Sequence, residues 1–169
     1  MKNNDLDYQL YLEFEECVEH IIHSEPVLKM GDFVHHNTTN CLDHSIYVAY
    51  TSFCISKRLG LDYVSTARGA LLHDLYLYNW HVNKKQQGRK GMHGFTHPKA
   101  AFKNACKYFS INELEKDIIL KHMWPLTIVP PKYAESFVVS LADKYCAIVE
   151  LGSISNKTTR RLREIYTVY

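Results

Sequence analysis

The chain lacks a Cys-x-x-Cys pair, a long uninterrupted apolar run and any marked excess of charge, and each absence removes a class of protein. Its five cysteines (Cys17, Cys41, Cys54, Cys106 and Cys146) are odd in number and lie mostly inside apolar stretches. They read as reduced core thiols of a cytoplasmic protein, not as a disulfide framework or a zinc ribbon. The 20 Lys and Arg stand against 18 Asp and Glu, a formal net charge of +2, so nucleic acid is not an expected partner on global charge. The opening stretch, MKNNDLDYQLYLEFEE, is acidic and has no apolar centre of the signal-peptide kind. No later segment approaches the roughly 18 apolar residues of a membrane span, so no membrane association is expected. Repeats, low-complexity tracts and linkers are missing too, which leaves one domain over residues 1–169. No run alternates with period two for long enough to suggest a sheet.

What is there is helical periodicity. Leu6, Leu10, Phe14, Cys17, Val18, Ile21 and Ile22 line one stripe of a first helix from Leu6 to about His23. After a loop broken by Pro26 and Gly31, Thr39 or Asn40 caps a second helix that ends at Leu59 before Gly60. Asp62 caps a third, from Tyr63 to about Tyr76. Pro98 suits the first turn of a fourth that reaches about Phe109. Asn112 and Glu115 have capping-box spacing for a fifth helix that runs to Met123. A sixth spans about Ala134 to Leu151, and a basic last helix begins near Ser155. The expected fold is an all-α bundle of six to seven helices.

The other conspicuous feature is ten histidines. His20, His23, His35 and His36 read as ordinary surface or core side chains. His44 falls in line with Cys41, Val48, Thr51 and Ile55, which aims it at the core. His73-Asp74 closes the third helix, His97 opens the fourth, and His122 lies near the end of the fifth. Asp143 sits mid-helix among Val139, Ala142, Cys146 and Ala147, and a carboxylate facing the core needs a cation. Four imidazoles and two carboxylates, drawn from five helices, make a ligand set for divalent transition metals.

The order His44, His73-Asp74, His97, His122 and Asp143 resembles the signature of the HD superfamily, all-helical metal-dependent phosphohydrolases. The likeness covers about Thr39 to Ala147. His97 and His122, the phrase THPKAA and the phrase LADK resemble its dinuclear branch, which includes symmetrical dinucleoside tetraphosphate hydrolases and cyclic-dinucleotide phosphodiesterases. The resemblance implies two divalent metal ions, Fe or Mn first, with Zn, Co, Ni or Mg as alternatives. His44, His73, Asp74 and Asp143 would hold one ion; Asp74, His97 and His122 would hold the other, with Asp74 bridging as the catalytic carboxylate. Met123 after His122, and HDLYLYNWH in place of an HDIGK run, depart from the cyclic-di-GMP enzymes.

Such a centre would cleave a phosphoester or phosphoanhydride of a nucleotide-like small molecule with a metal-activated water. The segment Tyr78 to Thr96 has no period, contains Gly88, Gly91 and Gly94, and reads as a functional loop. Its Lys84, Lys85, Arg89 and Lys90 are candidate phosphate contacts, with His81 and His93 as candidate proton donors to the leaving group. The same ligands also suit a mixed-valent di-iron oxygenase, or a non-catalytic metal-stabilised nucleotide-binding module.

Overall fold

The computed structural model of the protein describes residues 2–36, 39–78 and 93–151. Helix α1 spans Lys2–Ile22, and its inward stripe of Phe14, Val18, Ile21 and Ile22 is buried as its periodicity predicts. The expected loop after it contains a one-turn helix α2 (Glu25–Leu28), a 3-10 turn (Lys29–Asp32) and two short antiparallel strands, β1 (Val34–His36) and β2 (Thr39–Asn40). A pair of two- and three-residue strands is too short to leave a period in the sequence. Apart from that ribbon every regular element among the described residues is helical, as the all-α reading has it.

Helix α3 (Cys41–Arg58) begins where Asn40 Oδ1 accepts the Asp43 N–H. It stops at Gly60, whose φ of +67° lets Gly60 and Leu61 donate back to the Lys57 and Ser56 carbonyls. One correction concerns its inward line, which does not extend to Ile55; that side chain faces solvent. Asp62 then caps α4 (Tyr63–Leu72) by accepting from the Ser65 N–H.

Helix α4 is the central rod, with Ala67, Gly69, Ala70, Leu71 and Leu72 all buried. It packs on α3, on α1 and on α6 (Glu113–Lys121). The approach to α6 is close: a Cβ at Gly69 would stand 2.9 Å from Ile118 Cδ1. The expected continuation of α4 to Tyr76 does not form. The chain leaves the helix after its C-cap His73, and the Tyr76 N–H turns back to the Asp74 carbonyl at 2.7 Å.

Helix α5 (His93–Tyr108) corrects a second boundary. It starts five residues before Pro98, so His97 lies inside the helix and residues 93–96 are not loop. The local signal misled because Pro favours first turns; here its cost is one N–H withheld from the Gly94 carbonyl. Helix α6 carries the expected capping box, Asn112 accepting from the Glu115 N–H and Glu115 from that of Asn112, but ends at Lys121, two residues before Met123. Arg68 reaches over from α4 to pair with the buried Glu115 carboxylate. Helix α7 (Ala134–Leu151) runs over the span its periodicity gave. The basic helix expected near Ser155 lies outside the described residues. No helix among the described residues is long and apolar enough to cross a membrane.

Candidate metal centre

His44, His73, Asp74, His97, His122 and Asp143 come from α3, the end of α4, α5, the end of α6 and α7, and the fold brings all six together. His44, His73, Asp74, His97 and His122 are buried, and Asp143 is nearly so. Two overlapping groups could each hold an ion: His44, His73 and Asp143, and His73, Asp74 and His122. Within each group the ligand atoms all lie within 4.8 Å of one another. Asp74 stands between the two halves of the cluster. Its Oδ2 is 3.6 Å from His73 Nε2, while Oδ1 is 3.2 Å from His97 Nε2 and 3.7 Å from His122 Nε2. Asp143 Oδ1 lies 3.1 Å from His44 Nε2 and 3.7 Å from His73 Nε2.

The backbone orients two of these rings. His73 and His122 are the C-cap residues of α4 and α6, and each donates from Nδ1 to the carbonyl three residues back, Ala70 O at 2.6 Å and Ile119 O at 2.9 Å. Carbonyls in the last turn of a helix lack their i+4 partners and have a lone pair to spare for a side chain; Ala70 O takes the His73 N–H as well. The N–H at Nδ1 leaves a lone pair on Nε2, the atom that faces the cluster. His44 sits in the first turn of α3, where the helix uses its own carbonyls. Its Nδ1 instead lies 3.0 Å from Glu150 Oε2, near the end of α7.

Sequence reasoning missed Glu150. The only signal for it is its place seven residues, two helical turns, beyond Asp143. The turn bearing His122 is tied to α7 as well, since Ser140 Oγ donates to the His122 and Trp124 carbonyls and Lys144 Nζ donates to His122 O at 3.0 Å. Of the expected substrate contacts, His81, Lys84, Lys85, Arg89 and Lys90 lie outside the described residues, and so does the side chain of His93 at the start of α5.

Electrostatics follow the same division. Burial pushes His44 down, but its bonds to Asp143 and Glu150 prevail and raise it to about 10. His73 is raised too: burial opposes the charge, and Asp74 and Asp143 outweigh it. His122 goes the other way, pushed down to about 3 by burial first and then by His73 and His97. Asp143 is held far below the usual carboxylate range; burial opposes this, and the contact with His44 Nε2 and the nearby His73 imidazole overcome it.

The residues fit a metal. His73 Nε2 is buried with no hydrogen-bond partner among the described residues, its nearest carboxylate oxygens there standing at 3.6 and 3.7 Å. A lone pair so enclosed costs stability unless something electrophilic meets it. Imidazole nitrogens and carboxylate oxygens together are a donor set for divalent transition ions. The HD domain family matches residues 41–148 of this chain, nearly two-thirds of its length.

The chain belongs to the HD domain family. That family is a superfamily of metal-dependent phosphohydrolases, and the match begins at the first residue of α3 and ends within α7, enclosing all six clustered side chains. Comparison with curated proteins and with solved structures returned no match.

Proposed function

We propose that this HD protein hydrolyses a phosphoester or phosphoanhydride of a nucleotide-like small molecule at a dinuclear centre formed by the six clustered residues. The observation that carries the reading is the pair of overlapping ligand groups, with Asp74 between His73 on one side and His97 and His122 on the other. Two divalent ions, Fe or Mn by preference, would supply a water nucleophile active at neutral pH and positive charge opposite the phosphoryl oxygens.

His44, His73, Asp74 and Asp143 are the set for the first ion, and Asp74, His97 and His122 the set for the second. The Nδ1 hydrogen bonds of His73 and His122 keep both rings aimed inward, so no reorientation is needed on binding. Asp74, which touches both halves, is the catalytic carboxylate. In the reaction an oxygen of water bonds to phosphorus as the bond to the leaving oxygen breaks. One proton of that water finishes on an ester's leaving oxygen, or in solvent where the leaving group is an ionised phosphate; the other stays on the new phosphate oxygen until that group ionises. Burial of the cluster excludes bulk water and strengthens each charge–charge contact within it.

The test is a screen of nucleotides and dinucleoside polyphosphates with added Mn or Fe, run under air and under nitrogen. Release of phosphate or nucleotide at the same rate in both atmospheres is the expected result. Turnover that needs oxygen and frees no phosphorylated product would establish the di-iron oxygenase chemistry in its place.

A further inference from the structure

Glu150 stands outside the six-residue cluster, and its side chain is only 4% exposed. Its Oε2 lies 3.0 Å from His44 Nδ1, while the opposite nitrogen of that ring, Nε2, lies 3.1 Å from Asp143 Oδ1. Both carboxylates come from α7, two turns apart and therefore near one face of the helix. His44 lies on α3, with 105 residues separating it from Glu150 in the chain. The contact is thus made only when α7 docks on α3.

The three other imidazoles show why His44 needs such a partner. His73 and His122 end their helices and bond to carbonyls of their own last turns. His97 lies within α5, with Nε2 facing Asp74 and His122. His44 lies where α3 is already hydrogen-bonded, and an imidazole without a bond at Nδ1 can carry its proton on either nitrogen. Only one of those tautomers leaves Nε2 able to donate a lone pair. A purely structural carboxylate at this depth would have both oxygens satisfied, yet Glu150 Oε1 is buried with no hydrogen-bond partner among the described residues.

We propose that Glu150 is a positioning residue for the metal centre: by accepting the His44 Nδ1 hydrogen it fixes the ring in the tautomer and orientation that present Nε2 to the first ion. The inference rests on the metal-binding reading given under Proposed function. Outer-shell partners of this kind are worth about 10–100-fold in metal affinity.

The experiment uses the full chain as wild type, Glu150→Leu and Glu150→Gln. Ion affinities are read by titration with Mn and Co, and the His44 ring nitrogens by long-range nitrogen–proton NMR on Zn-loaded protein. Glu150→Leu is expected to weaken the ion at His44, His73 and Asp143 by about 10–100-fold and leave the one at His97 and His122 within about threefold. Glu150→Gln, whose amide oxygen still accepts from Nδ1, should recover most of the loss. The His44 hydrogen should be found on Nδ1 in wild type and in Glu150→Gln. Equal affinity in wild type and Glu150→Leu would overturn the inference while leaving the metal reading intact. So would a hydrogen on Nε2 in the loaded wild-type protein, a result that does not depend on whether the Leu variant folds. If the wild type takes up no ion, the functional reading falls and the role of Glu150 falls with it.

Discussion

His97 and His122 turn their Nε2 atoms toward each other at a separation of 2.7 Å. The Nδ1 hydrogen of His122 is committed to Ile119 O, and burial first, then His73 and His97, hold that ring in its neutral form. Its Nε2 therefore presents a lone pair. Two lone pairs cannot face each other at this distance, so either His97 Nε2 carries the hydrogen between them or a cation lies against both. Asp74 Oδ1, 3.2 Å from the same His97 nitrogen, completes the set of donors such a cation requires.

The first prediction is two ions per chain, with unequal losses on mutation. Asp74→Ala should abolish binding of both, because Asp74 is a ligand of both ions in the proposed centre. His122→Ala should empty mainly the second site, since His122 belongs to that ion's set alone. Elemental analysis of protein purified without chelator, with anomalous scattering to count the ions, checks the stoichiometry. Retention of two ions by Asp74→Ala would rule out its bridging position.

Chelation should also lower the melting temperature. A site that exists only in the folded chain stabilises it by about 2.7 kcal/mol when the free ion is at 100 times its dissociation constant. For a domain of this size each kcal/mol corresponds to about 2–4 °C. Scanning calorimetry before and after chelator, then with Mn restored, should show a fall and a recovery; the Asp74→Ala variant should show neither.

Much of the fold is legible in the sequence where the deciding chemistry is local. Asn40, Asp62 and the Asn112–Glu115 box start helices, Gly60 ends one, and each acts within a few residues of itself. The misreadings occur where a distant contact overrides such a signal. Pro98 marks a helix start by local preference, but α5 begins at His93, with Gly94 of its first turn packed close to Leu126 and Met123 of another segment. Leu75 and Tyr76 extend the apolar pattern of α4, but the chain turns so that His73 and Asp74 both face the cluster. The six clustered residues stand out because buried charge and imidazole are unusual in apolar helices. Glu150 does not, since at a helix end it looks like any solvated carboxylate until α3 is packed beside it.

Gly69→Ala should loosen the packing that carries the centre. The added Cβ would meet Ile118 Cδ1 at 2.9 Å and its Cβ and Cγ2 at 3.2 Å. Cδ1 can swing away; Cβ and Cγ2 are close to the α6 backbone and move only with it. A destabilisation of about 1–3 kcal/mol is expected from such overpacking. Since α4 leads into His73 and Asp74 and α6 into His122, second-site affinity should fall as well. Ile118→Val removes Cδ1 alone, so in the double variant it should recover only part of the loss in denaturant melts.

The thiols should react in order of their burial. Cys106 is exposed on α5, Cys17 and Cys54 are half-buried, and Cys41 and Cys146 are buried. Burial, its largest cause, pushes the Cys146 thiol up to about 12, and burial likewise raises Cys41 well above the ordinary thiol range. At pH 8 only about one Cys146 in ten thousand would be the reactive thiolate. An aromatic disulfide reagent should therefore label Cys106 first, and Cys41 and Cys146 only on unfolding. Rapid labelling of Cys146 in the native protein would contradict its packing between α3 and α7.

The last prediction concerns the cations whose positions lie outside the described residues. The segment that carries them follows Tyr78, four residues after Asp74, and leads into α5, which bears His97, so its two flanks are fixed near the metal cluster. Lys84-Lys85 and Arg89-Lys90 form two pairs around Gly88. A guanidinium can grip a phosphate with two hydrogen bonds, whereas each lysine acts as a point charge. Replacing Lys84, Lys85 and Arg89 together with alanine should raise KM for a polyanionic substrate and flatten the fall in affinity as substrate charge is removed. Metal content should stay unchanged, because none of the three belongs to the ligand set. Unaltered activity toward every phosphorylated substrate would show that the segment serves only to connect α4 to α5.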